Sequence, residues 1–65
     1  LRPLRIYLIV EVWKGILDHI HGFITERARD NALRELLKEH GYKSYEAYRE
    51  AEDENWDCTL AELVV

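Results

Sequence analysis

The sequence predicts an α+β domain in which two helices pack on one face of a three-stranded sheet. Three observations carry this. Leu4 to Val12 is rich in β-branched and other apolar residues, and a second such stretch follows Gly15. Ala28, Ala32, Leu33, Leu36 and Leu37 then recur at helical spacing. Finally Leu60, Leu63, Val64 and Val65 make a terminal apolar run of strand character. The 65 residues form one domain, 1–65. This is near the lower size limit for a self-supporting core, since so short a chain buries only about 60% of its unfolded surface.

The first strand is expected from Leu4 to Val12, with Pro3 just ahead of it, where a missing amide donor does no harm. Gly15 marks a tight turn. A three-residue loop, Trp13-Lys14-Gly15, sets Val12 opposite Ile16 and gathers Leu4, Ile6, Leu8, Val10, Val12, Ile16, Ile20 and Ile24 on one core face. Its flaw is Asp18, which falls opposite Val10. A two-residue Lys14-Gly15 loop instead turns His19 and His21 inward and three isoleucines outward, which is expected to cost more.

Thr25 is expected to cap a first helix from Glu26 to His40, with Gly41 ending it in a left-handed conformation and the helix dipole favouring a charged His40. Ser44 caps a shorter helix, Tyr45 to Asp53, and Asn55 ends it. A third strand runs from Trp56 to Val65. Two antiparallel helices return the chain to its starting end, so this strand is expected parallel to the first and beside it, in the order 2-1-3. Cys58 shares the core parity of Trp56 and Leu60 and reads as a small buried hydrophobe.

Composition removes several classes of function. The net charge is −4, but residues 1–45 carry +2 and residues 46–65 carry −6. No basic stripe offers itself to phosphates, so direct nucleic-acid binding is not expected. No apolar run approaches the roughly 20 residues of a membrane span. A single cysteine excludes an internal disulfide and fits the reducing cytoplasm. Glycines stand singly at 15, 22 and 41, so no phosphate-cradling loop exists and no cofactor is implied. Ser44 is the only serine and serves as a cap, so no catalytic triad can be assembled. Enzymatic activity is not expected.

The expected function is therefore protein interaction. With odd residues outward, Tyr7, Ile9, Trp13, Leu17, Phe23 and Leu63 form a second apolar face, and a homodimer stacked through it is the leading expectation. A different reading takes Glu50, Glu52, Asp53 and Glu54 as a surface that occupies a basic site on a partner, as a nucleic-acid mimic does. A third uses His19 and His21, two apart on one strand face, with Glu11 diagonal to His19, as ligands for zinc or iron. The two histidines also suit a pH-sensitive interface. Tyr42, Tyr45 and Tyr48 are expected to close the core edge with their hydroxyls in water.

Overall fold

A computed structural model describes residues 3–65. The elements are β1 (Arg5–Trp13), β2 (Ile16–Phe23), α1 (Glu26–Glu39), α2 (Tyr45–Ala51) and β3 (Trp56–Val64). They form a single α+β unit with sheet order β2-β1-β3, as the pattern predicts. Both caps are where the residue types put them. The Thr25 hydroxyl accepts from the Ala28 amide at 3.1 Å, and the Ser44 hydroxyl accepts from the Ala47 amide at 3.1 Å. His40 is the C-cap of α1, and Gly41 follows at φ +84°.

Two expectations about the sheet are corrected. β3 runs antiparallel to β1, with Trp13 beside Trp56 and Arg5 beside Val64. Helix length is the reason. α1, with 14 residues, carries the chain about 21 Å at 1.5 Å per residue, the length of the sheet. α2 has only seven residues, about 10 Å, too few to bring the chain back. β3 therefore starts at the hairpin end of the sheet, where α1 left it.

The hairpin register is the second correction. Trp13 pairs with Ile16 across a two-residue turn in which Lys14 (φ 51°) and Gly15 (φ 80°) are both left-handed. That turn type matches the right-handed twist of the flanking strands. A bulge at Asp18 then shifts the pairing, so that Val12 faces Leu17 while Glu11 faces His19. Asp18 is the extra residue, exposed, and leans on His19 at 3.2 Å. It does not lie opposite Val10, whose partner is Ile20.

The core lies on the odd-numbered face of β1, the face that the helices cover. Ile9, fully buried, packs with Leu33 and Leu37 of α1, Tyr48 of α2, and Trp56 and Cys58 of β3. Cys58 and Trp56 are buried as expected. The expected core of even residues is the opposite surface. Leu8 and Ile6 flank Gly22 there, since a Cβ on Gly22 would touch both at 3.5–3.6 Å. Ile16, Ile20 and Ile24 are exposed. The cost argument failed because the inward histidines are not buried: β2 lies at the sheet edge, His19 is exposed and His21 is half-buried. Among the described residues no helix is long and apolar enough to cross a membrane.

Candidate functional site

Two features of the molecule are candidates: a polar cluster under the helices and the uncovered face of the sheet. The cluster is built on Glu11, the one charged residue buried among the described residues. A buried carboxylate is tolerated only when hydrogen-bonded, and both oxygens are engaged. Oε2 accepts from His21 Nε2 at 2.5 Å, and Oε1 accepts from the Trp56 indole Nε1 at 3.2 Å. Since His21 lies on β2, Glu11 on β1 and Trp56 on β3, one side chain ties all three strands together.

Around it the tyrosines make defined bonds. Tyr48 donates to Asp57 Oδ1 at 2.7 Å and accepts from the Cys58 amide at 2.8 Å. Burial, and then that bond to Asp57, push its hydroxyl up to about 12. Tyr42 donates to Asp53 Oδ2 at 2.5 Å, and this bond first of all raises its pKa. Asp53 Oδ1 accepts from the Trp56 amide at 3.0 Å and the Asn55 amide at 2.9 Å. These bonds, the Trp56 amide foremost and the Tyr42 hydroxyl next, hold the Asp53 carboxyl below its ordinary value. The expected wet hydroxyls of Tyr42 and Tyr48 are thus corrected: each is bound to an aspartate. The His40 ring stacks on Trp56 with centroids 3.8 Å apart. No buried side-chain polar atom among the described residues lacks a partner.

The hydrogen bonds of the cluster join strands and helices of the chain itself. Burial, with Glu11 alongside, pushes the Cys58 thiol up to about 11, which leaves it protonated and a poor nucleophile at neutral pH. The metal reading placed Glu11, His19 and His21 on one face, and the structure does put them on one face. The rings of His19 and His21 stack at 5.8 Å and 15°, however, and His19 turns to Asp18. Among the described residues no three His, Cys, Asp or Glu side chains are grouped to hold a metal ion.

The expected interface residues are divided by the new register. Tyr7, Ile9, Trp13 and Phe23 lie on the helix side: Ile9 is 0% exposed, Phe23 packs against the core, and Arg29 of α1 covers the Tyr7 ring at 5.7 Å. Ile9 is therefore no free surface and Tyr7 and Phe23 are only partly exposed, whereas Trp13, at the hairpin tip, stays 46% exposed. Leu17 and Leu63 do belong to the uncovered face, at 58% and 50% exposure. With them stand Ile6, Leu8, Val10 and Val12 of β1, Ile20 of β2 and Ala61 of β3, by strand alternation. Of the acidic residues, Glu50, Glu52 and Glu54 are exposed, but Asp53 is spent on internal bonds.

Sequence reasoning missed the Glu11, His21 and Trp56 cluster. The signal available was a lone glutamate inside an apolar strand, which needs a buried donor. No family model matches the chain, and no curated protein or solved structure matches it.

Proposed function

We propose that this chain is a non-enzymatic interaction module that forms a homodimer by stacking the uncovered sheet face of one copy on that of another, in a reducing cytoplasm suited to its lone, protonated Cys58. The observation that carries it is an imbalance. Six apolar residues are buried, whereas nine large ones are exposed among the described residues. A sheet face of small monomers is normally polar where it meets water. Here it is a run of leucine, isoleucine and valine.

Size and chemistry favour a second copy. Three strands of nine, nine and eight residues project to roughly 30 by 14 Å, about 400 Å², at ordinary strand spacings. The accessible area of corrugated side chains exceeds that projection, which brings it towards the roughly 600–800 Å² per partner of a specific interface. The middle of the face holds no charge for a charged partner to read. Self-complementarity is all that a two-fold contact requires, and apolar meets apolar.

Light scattering after size exclusion is expected to give twice the mass of one chain at tens of micromolar. Ile20→Glu and Leu63→Glu each replace a side chain already more than half exposed, or half exposed, in one copy. Both are expected to yield a folded monomer, with circular dichroism unchanged. A wild-type monomer, or a dimer that survives both substitutions, overturns the proposal.

A further inference from the structure

The outer edge of β3 is half closed by the protein itself. In an antiparallel pair, amides alternate between the partner strand and the free side. Val65 and Leu4 exchange backbone bonds at 2.8 and 3.1 Å, so odd positions of β3 face β1. Even positions face outward. Two of these are capped by side chains from outside the strand: the Trp56 amide by Asp53 and the Cys58 amide by the Tyr48 hydroxyl. The next even positions are Leu60 and Glu62, and among the described residues no strand pairs with β3 on that side. Of the devices that blunt edges, Trp56–Val64 holds no proline, lysine or bulge, and its only charges are Asp57 and Glu62. β2, the other edge, is bulged at Asp18.

Beside the capped stretch, and just short of Leu60, a depression opens between α2 and β3. It measures about 410 Å³ and is lined by Tyr45, Tyr48, Arg49, Glu52, Asp53, Asp57, Cys58 and Thr59. One cation and three carboxylates give the lining a formal charge of −2. Asp53 is committed to its internal donors and Arg49 lies over the Tyr45 ring at 6.0 Å. Asp57 uses Oδ1 for Tyr48, so its second oxygen and Glu52 are the anionic groups left for a ligand.

We propose that the β3 edge from Leu60 to Val64 docks an extended peptide segment by strand addition, and that a lysine or arginine of that segment enters the depression beside Asp57 and Glu52. The exposed backbone supplies the pairing and the carboxylates supply selection. A second copy is the poorer occupant of this edge. It brings a strand with two acids, Asp57 and Glu62, and no base, and so leaves the depression unneutralised. The site lies at the outer edge of the sheet rather than at the centre of the uncovered face, although Asp57 and Thr59 share the parity of Ala61 and Leu63 on that face, and strand addition there does not require dimerisation.

The test uses fluorescein-labelled octapeptides of alternating valine and threonine, with one arginine moved through each position, and citrulline at the same positions as the neutral isostere. Anisotropy is expected to show tightest binding for one arginine position, with at least a tenfold preference over citrulline. Asp57→Asn retains an acceptor for Tyr48 and is expected to abolish that preference without weakening the citrulline peptide. Amide exchange at Leu60 and Glu62 is expected to slow on saturation, in the wild type and in Ile20→Glu alike. Equal affinity for arginine and citrulline overturns the proposal. So does unchanged exchange at Leu60 and Glu62, or protection there that rises with protein concentration alone, which marks self-pairing.

Discussion

At the scale of the residue, Glu11 does the most to make this fold unique. It is 6% exposed in an otherwise apolar region, and a buried carboxylate is weak evidence for stability but a demanding specification of its neighbours. Glu11→Gln keeps an acceptor for the Trp56 indole, whereas Glu11→Leu leaves that donor buried and unpaired. Urea unfolding is expected to show a loss of about 1–3 kcal/mol for Glu11→Leu and a smaller loss for Glu11→Gln. The pH dependence has two arms. Tyr48 and Cys58 have folded pKa values raised to about 12 and about 11, above their ordinary 10.0 and 9.0. Their neutral forms are favoured in the fold, so the stability they contribute is complete below about pH 9 and lost as pH rises towards 12. Asp53 is lowered, so its contribution is present above the ordinary carboxylate range and lost as pH falls through its folded value. Thermal midpoints are expected to decline on both sides of a neutral plateau, and Tyr48→Phe is expected to flatten the alkaline arm.

At the scale of the element, the Lys14-Gly15 turn sets the pairing as far as Leu17, and because shifting a register by one residue exchanges the two faces of a strand, the bulge at Asp18 is what returns odd beside odd from His19 to Phe23. Gly15 has φ +80° with open space where a Cβ would stand. Gly15→Ala therefore meets no neighbour and costs only the left-handed backbone, about 1 kcal/mol. Lys14, left-handed at φ 51°, is the weaker choice, and Lys14→Asn is expected to stabilise the protein by a few tenths of a kcal/mol or more. Chemical denaturation of the two variants against wild type checks both signs. Helix length acts at this scale too. The seven residues of α2 decide that β3 begins at the hairpin tip and runs antiparallel to β1.

At the scale of the whole molecule, two layers enclose one small core and leave a sheet face open, and the thinnest dimension is only 16 Å. The proposed dimer couples stability to association. If the face is covered by a second copy, the thermal midpoint rises with protein concentration, since dimerisation stabilises the folded state by mass action. A tenfold increase in concentration is expected to raise the wild-type midpoint by a few degrees and to leave that of Ile20→Glu unchanged. A constant wild-type midpoint counts against the dimer.

The sequence by itself determined what local chemistry decides. Helical periodicity placed α1, hydroxyl caps placed its start and that of α2, and β-branched runs placed the strands; the buried parity of Trp56 and Cys58 followed from alternation within β3. It did not determine which face of the hairpin is covered, because both are apolar and hydrophobic burial is non-directional. That choice fell to tertiary structure. Trp56, Cys58 and Leu37 pack against Ile9, Glu11 finds its two donors only on that side, and the bulge at Asp18 lets the odd face continue through His21 to Phe23. The same distinction governs the candidate site: His19, His21 and Glu11 were visible as a pattern, but contact with Trp56, 45 residues away in sequence, made Glu11 a tie between strands, with both oxygens committed.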